Sequence, residues 1–270
     1  MGRQILKPSA ELAPYVKYYW TLSDCAHQTQ SRKQRIVPNG LPELTFYFED
    51  IPDYSRQGQS IRSCSVLNGQ QDRFYDVLVR GSLNMFSVVF QAWAVKLFFQ
   101  VPASELYNIN LPADTLLKAK VRELESRLAG SRAAEEKVIV VERFLMKQLS
   151  THREYELMRI CRSMAAINRS GGRAGVEELS SLACLSRKQF ERCFREQVGI
   201  SPKKFLKVVR FQYVLFRQQT SPANSLTELA YDCGYYDQSH MINDFKSLSG
   251  MTPKAYLAEC PPASDYFAYP

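Results

Sequence analysis

Towards the C-terminal end of the chain, apolar and polar positions fall into a pattern that occurs twice. Val176, Leu179, Leu182, Phe190, Phe194, Gly199, Pro202, Phe205 and Leu206 mark the first copy. Leu226, Leu229, Met241, Phe245, Gly250, Pro253, Tyr256 and Leu257 answer them in the second. The offset is 50 residues from Val176 to Leu226 and 51 from Phe194 to Phe245, so one extra residue sits in the second turn. One short amphipathic pair would be ordinary core, whereas two pairs in register read as a duplication.

Each copy predicts two short helices. Val176, Leu179 and Leu182 make one apolar stripe, and a break near Cys184-Leu185 follows. Ser186 and Gln189 then form a capping box: the hydroxyl accepts the Gln189 backbone N–H and the amide reaches back to the Ser186 N–H. Phe190 and Phe194 bury on one face of the new helix, which turns Lys188, Glu191, Arg192 and Arg195 elsewhere. In the second copy the turn falls at Gly234 and Asp237 caps a helix through Met241 and Phe245. Gly234 supplies a left-handed backbone, and at the matching Cys184 that conformation costs a residue with a Cβ about 1 kcal/mol. A helix pair with a charged outer face on its second member is a helix-turn-helix, able to enter a major groove. Between the copies, Ser201-Pro202 starts a connector in which Phe205, Val208, Val209, Tyr213 and Phe216 keep helical spacing to about Gln219.

The first half is different in kind. Val16–Leu22, Arg35–Val37, Glu43–Phe48, Cys64–Leu67, Val77–Arg80 and Phe86–Gln91 are short β-branched or aromatic runs separated by turn residues. They predict a small antiparallel sheet rolled into a partial barrel, with Pro38-Asn39-Gly40 as the strongest turn. Helices are expected over about Ala92–Gln100, Asp114–Leu128 and Ala133–Leu149, the last two with apolar stripes suited to packing on each other or on a second subunit. Ser170 to Gly175 reads as a flexible break. The fold class is therefore α+β: an N-terminal β-rich domain with helices over 1–150, and an all-α domain over 151–270. The second holds helix-turn-helix units near 176–198 and 226–249, joined by a helix near 202–219.

Charge separates the two units. From 186 to 217 there are nine basic residues against two acidic ones, and from 220 onward two basic residues against six acidic ones. Phosphate attraction supplies most non-specific affinity for DNA, so it should come through the first unit and the connector, where Lys203, Lys204 and Lys207 add to the run. The whole chain carries +8, which favours an anionic partner. With 270 residues there is room for two domains. No signal peptide and no long apolar run is visible, so a cytoplasmic protein without membrane association is expected. The seven cysteines are scattered and lack Cys-x-x-Cys spacing, as for reduced, mostly buried thiols.

Gly234-Tyr235, Gln238-Ser239-His240, Phe245-Lys246, Gly250-Met251-Thr252-Pro253 and Tyr256-Leu257, with the matching first copy, resemble the AraC/XylS family of bacterial transcription regulators over roughly 154–260. The chain departs from the family pattern at Ser180, Cys184 and Asn243. Less specifically, Tyr19-Trp20, Arg35 to Gly40 and Glu43 to Phe46 look like the N-terminal sensor domain of some AraC-type regulators. The resemblance implies base-reading positions at Lys188, Gln189, Glu191 and Arg192 and at Gln238, Ser239, His240, Ile242 and Asn243, with Arg187, Arg195 and Lys246 beside them. Arg192 suits guanine, Glu191 cytosine N4, Gln238 adenine and Ile242 a thymine methyl. It further implies a nucleoid-associated, promoter-binding activator that works as a homodimer, contacts RNA polymerase and answers to an unknown small-molecule effector.

Trp20, Phe46, Phe48, Phe90 and Trp93, with Phe86, are the candidates for an effector pocket, with Asn39 and Glu43 as polar anchors, although strand aromatics and turn residues commonly serve core and capping. Catalysis has no visible residues. His27, His152 and His240 are far apart, so no metal site is expected, and no phosphate loop, dinucleotide fingerprint or nucleophile elbow is present, so no cofactor is expected either. Some DNA-repair methyltransferases carry an AraC-type segment with a reactive cysteine, but Cys25 and Cys64 lack the basic neighbours such a thiol needs. The expected function is sequence-specific promoter binding under small-molecule control. The alternative is a DNA-binding module whose front domain serves only oligomerisation or protein interaction.

Overall fold

In a computed structural model of the chain, residues 2–24, 31–56, 59–149, 154–223 and 225–259 are described; Cys25, His27, His152 and Cys260 lie outside them. The chain divides into two compact units. The first contains β1 (Gly2–Leu6), β2 (Val16–Asp24), β3 (Arg32–Ile36), β4 (Glu43–Tyr47), β5 (Asp53–Arg56), β6 (Gln59–Ile61), β7 (Ser65–Asn68), β8 (Tyr75–Val79) and β9 (Leu83–Phe90). After these come α1 (Val95–Phe99), β10 (Asn110–Pro112), α2 (Asp114–Leu117), α3 (Ala119–Gly130) and α4 (Ala134–Gln148). Six strands form a sheet in the order β1-β2-β9-β4-β7-β10 and four form another in the order β3-β8-β5-β6.

Alternation along β4 and β9 decides what the larger sheet faces. Leu22, Tyr47, Val66 and Met85 point to one side and share a core with Tyr54, Tyr75, Val77 and Val79 of the smaller sheet. On the other side Tyr19 stacks on Phe86 with centroids 5.9 Å apart, and Phe90 meets Phe98 of α1 at 5.3 Å. Helix α4 is tied to this side by Glu142, whose Oε1 accepts from the Tyr19 hydroxyl at 3.2 Å and from the Ser9 N–H at 2.8 Å. Ser65 donates likewise to Glu125 of α3 at 2.5 Å.

The strands missing from the pattern of six runs are β1, β5, β6 and β10. Of these, β1, β6 and β10 are sheet edges, where backbone pairing does not demand an apolar side chain at every second place. The stretch expected as one helix over Asp114–Leu128 is two, because Lys118 takes a left-handed φ of 51° between α2 and α3.

The second unit is helical: α5 (Glu154–Ser170), α6 (Val176–Leu182), α7 (Arg187–Val198), α8 (Pro202–Thr220), α9 (Leu226–Asp232), α10 (Gln238–Ser249) and α11 (Pro253–Glu259). Two short turns from the first half of the chain, Val37–Gly40 and Gln71–Phe74, group with these helices. Phe190, Phe194 and Phe205 fill the first helix pair, with centroids 5.5 and 5.6 Å apart. Leu229, Met241, Phe245, Leu248 and Tyr256 fill the second against Val208, Phe211 and Leu215 of α8. One side of the connector thus serves as floor for the second pair.

The glycine-rich stretch before α6 is a packed turn, not a flexible break. The Gly171 and Gly172 N–H groups donate to Asn168 and Ile167 at 3.1 and 3.0 Å. A Cβ on Gly172 would lie 2.7 Å from the Leu206 carbonyl oxygen and 2.9 Å from the Arg210 backbone nitrogen. Glycine is there because α8 passes too close for any side chain.

Candidate nucleic-acid interface

The turn of each helix pair depends on a left-handed residue. Cys184 has φ 53° and Gly234 has φ 77°, at the places the duplicated pattern assigns to them. Downstream of each turn, a side chain caps the new helix. Gln189 Oε1 accepts from the Ser186 N–H at 3.1 Å and from its hydroxyl at 2.9 Å, while Ser186 Oγ accepts the Gln189 N–H at 3.4 Å. Asp237 Oδ1 accepts the His240 N–H at 2.6 Å. Both α7 and α10 end on a left-handed glycine, Gly199 at φ 99° and Gly250 at φ 75°. Each helix is therefore bounded by caps about twelve residues apart, enough for one groove width of reading surface.

Burial sorts the faces. On α7, Phe190, Phe194, Gln197 and Val198 are buried, and Lys188, Arg192 and Arg195 lie on the opposite, exposed stripe. Among the described residues these three side chains make no hydrogen bond or ion pair, so their charge is available to a partner. Arg187 differs: its guanidinium bonds Glu177 at 2.5 Å and Glu191 at 3.1 Å, tying α6 to α7. Gln189 is occupied as a cap. Of the positions on α7, then, Lys188, Arg192 and Arg195 face outward free, whereas Arg187, Gln189 and Glu191 are held within the fold.

On α10 the exposed stripe is Ser239, His240, Asn243 and Lys246, with Gln238 and Ile242 half-buried on its flank. The Gln238 side-chain oxygen accepts from the Thr227 hydroxyl of α9 at 2.8 Å, which leaves its NH₂ to donate outward. His240 packs edge-on to Tyr235 at 5.2 Å. The remaining acid of this helix, Asp244, points back to the connector: its side chain is 13% exposed and pairs with Lys207 at 2.9 Å, with Arg210 and His240 near 3.9 and 3.8 Å.

The ion pairs change the charge reading. Of the nine basic residues between 186 and 217, Arg187, Lys204, Lys207, Arg210 and Arg217 each face a carboxylate, Lys204 meeting Asp72 at 2.8 Å and Arg217 meeting Asp232 at 3.0 Å. What remains is concentrated on α7. Sequence reasoning missed these pairs because Asp72, Asp232 and Asp244 are distant in the chain from the cations they neutralise.

The residues proposed for an effector pocket do not gather on one surface. Phe46 and Phe90 sit on the helix side of the larger sheet, and Phe48 holds Lys137 of α4 at 4.9 Å from its ring centre. Trp20 is on the other side, where its indole N–H donates to Glu43 at 2.7 Å and it packs beside the core between the sheets. Trp93 follows β9 and is half-buried. The polar groups that converge between the sheets are instead Tyr47 and Tyr54, hydroxyl to hydroxyl, with Tyr75 stacked on Tyr54 at 5.9 Å. Burial pushes the Tyr54 hydroxyl up to about 12, so it stays neutral. Of these only Tyr47 lies on a run that the sequence pattern marks as a strand; Tyr54 is on β5, which that pattern misses, and the register sends both inward.

Among the described residues Cys64, Cys161, Cys184, Cys193 and Cys233 are in no disulfide, and burial pushes the Cys233 thiol up to about 12. Among the described residues no group of three His, Cys, Asp or Glu side chains could hold a metal ion, and no helix is long and apolar enough to cross a membrane.

Comparison with known proteins follows the same division. Residues 4–112 match a domain of unknown function (DUF6597) and residues 179–259 match a helix-turn-helix domain. A curated relative from Haemophilus influenzae, an uncharacterized HTH-type transcriptional regulator, is 35% identical over 81 residues, 30% of this chain and 27% of its own length. The probable transcriptional regulator LumQ of Photobacterium leiognathi is 37% identical over 82 residues, 30% of this chain and 32% of its own. The chain thus spans about a third or less of the curated relatives it matches. ToxT from Vibrio cholerae has a similar fold, with a TM-score of 0.50 at 12% identity over 85% of this chain and 97% of that one. The duplicated turns, the paired caps and the family match together make residues 179–259 of this chain a helix-turn-helix domain, similar in sequence to those of HTH-type transcriptional regulators.

Proposed function

We propose that the chain is a sequence-specific, promoter-binding transcription regulator rather than an enzyme, and that α7 is its main reading element. One observation carries this: Lys188, Arg192 and Arg195 form an exposed stripe, free of ion pairs, on the second helix of a helix-turn-helix. Such a stripe matches the phosphates and guanine edges of a major groove. Helix α10 contributes neutral readers, Gln238, Ser239 and Asn243, with Lys246 as its one outward cation. The two helices would occupy successive major grooves, about 34 Å apart, if both bind one face of the duplex.

The test is binding of the full chain to duplexes from its own upstream region and to random duplex, across salt, with Arg192→Ala and Gln238→Ala. Arg192→Ala should lose discrimination at one base pair by about five- to a hundredfold if it forks to guanine. A greater loss from Gln238→Ala would overturn the order of the two helices. Equal affinity for every duplex would overturn sequence-specific binding.

For the first unit two readings stand. The convergence of Trp20, Glu43, Tyr47 and Tyr54 between the sheets supports a sensor for a small molecule with a hydrogen-bonding group. Ile139 and Met146, 51% and 46% exposed and seven residues apart on α4, support an oligomerisation face and hence a homodimer on DNA. Sedimentation of Ile139→Glu with Met146→Glu separates them: a shift to monomer supports the α4 interface, and an unchanged state removes it.

A further inference from the structure

The strongest turn signal of the first half, Pro38-Asn39-Gly40, has no role in the reading surface, yet with Val37 before it the turn belongs to the helical unit. Gln212 of α8 is a primary amide only 1% exposed, between the buried Phe211 and Val214 along the helix. A buried amide must find an acceptor, and the Gln212 side-chain NH₂ donates to the Pro38 carbonyl at 2.7 Å. Val37 packs against the core that Leu229, Met241 and Phe245 build for the second helix pair. Gly40, at φ 77°, lets the chain turn back.

The second turn, Gln71–Phe74, grips the same connector two helical turns away. Asp72, 13% exposed, accepts from Lys204 at 2.8 Å. Phe74 borders a recess shared with Lys207 of α8 and with Ser247 and Leu248 at the end of α10.

Both turns leave from one place in the strand ladder. Ile36 pairs with Tyr75 as the last rung of β3 and β8. Val37 follows the first of these residues and Phe74 precedes the second. Tyr75 in turn stacks on Tyr54, whose hydroxyl meets Tyr47. That tyrosine stack therefore bears directly on the rung from which both turns depart.

We propose that Val37–Gly40 and Gln71–Phe74 are a coupling device: they complete the second helix-turn-helix unit, and the β3–β8 ladder sets the DNA affinity of that unit through them. The proposal rests on the DNA-binding reading above. Val37, Asp72 and Gln212 are positioning residues, acting on DNA only through α8 and α10. By linkage the coupling runs both ways, so a change at the tyrosine stack must be felt in α9 and α10.

The experiment is peptide-resolved hydrogen exchange on the full chain, with Val37→Ser, Asp72→Asn and Tyr54→Phe, each beside wild type, and with Val37→Ile and Asp72→Glu as conservative rescues. Val37→Ser, Asp72→Asn and Tyr54→Phe should raise exchange over 226–249 by about tenfold, the scale of an ordinary coupling, and leave 176–198 unchanged. Binding to an upstream duplex should lose its margin over random duplex by about fivefold in Val37→Ser and Asp72→Asn, with the salt slope retained in Val37→Ser and with recovery in the rescues. Equal exchange changes in both helix pairs, or none, would overturn the proposal. So would a response to Val37→Ser without one to Tyr54→Phe, because the turn would then be packing without coupling. If wild type prefers no duplex, the DNA-binding reading fails alone, and the exchange pattern still decides the coupling.

Discussion

Alanine scanning of three glycines in one turn gives a test whose sign separates two accounts of the segment before α6. A flexible break gains stability from Gly→Ala, about 0.4–1 kcal/mol per site, because the unfolded chain loses freedom. A packed turn loses. At Gly172 the backbone has φ 82°, and a left-handed alanine costs about 1–2 kcal/mol. The new Cβ would also stand 2.7 Å from the Leu206 oxygen and 2.9 Å from the Arg210 nitrogen, both main-chain atoms of α8. Displacing a packed helix backbone adds about 1–3 kcal/mol, so Gly172→Ala should destabilise by about 2–5 kcal/mol. At Gly171, φ 58°, the nearest atoms are the Tyr213 ring at 3.1 Å, which can give, so the loss should be about 1–2 kcal/mol. Gly175 has φ −79° and open space around it, so Gly175→Ala should stay within about 0.5 kcal/mol. Urea unfolding followed by far-ultraviolet circular dichroism gives the order. A Gly172→Ala protein as stable as wild type, or more so, would refute the close-approach argument.

Cys184→Gly should stabilise by about 1 kcal/mol, since it removes left-handed strain at an exposed position whose counterpart is already Gly234; thermal unfolding checks it, and a loss would mean that the thiol makes a contact of value. Ser186→Ala removes the hydroxyl half of the capping box, leaves the backbone N–H to Gln189 Oε1 in place and should cost about 1 kcal/mol, read by the same scans, with Gln189→Ala removing the other half. Asp244→Ala leaves Lys207 without its carboxylate beside the second core and should cost about 2 kcal/mol in urea unfolding. Because Lys188, Arg192 and Arg195 are the free cations of α7, changing any one to alanine should lower the salt slope of DNA binding by about 0.9. Lys207→Ala, already paired, should leave the slope unchanged in the same titrations.

Much of the C-terminal architecture is legible without coordinates because its signals are local. An apolar stripe, a cap within three residues and a left-handed glycine act on neighbouring backbone, so Val176, Ser186, Gly199, Asp237 and Gly250 announce their elements by themselves. The duplication adds an internal check, since each copy predicts the other. Strands with a buried face are legible for the same reason, whereas β1, β6 and β10 are edges whose side chains carry little pattern. Lys118 was illegible because nothing in a lysine marks a left-handed turn.

Tertiary structure alone decided which charges are free and which aromatics meet. Coulomb pairing depends on distance in space, so Asp72, Asp232 and Asp244 withdraw four connector cations from the apparent total, and most of the available charge is left on α7. Sheet register sends Phe46 and Tyr47, adjacent in sequence, to opposite faces, which scatters the expected aromatic pocket and gathers a tyrosine pair instead. The turn at Val37–Gly40 shows the same division. Its sequence determined that the chain must bend there, through Pro38 and Gly40. Only the fold set the Pro38 carbonyl against a buried amide 174 residues away, because an unsatisfied donor inside a core recruits whichever acceptor the packing brings within reach.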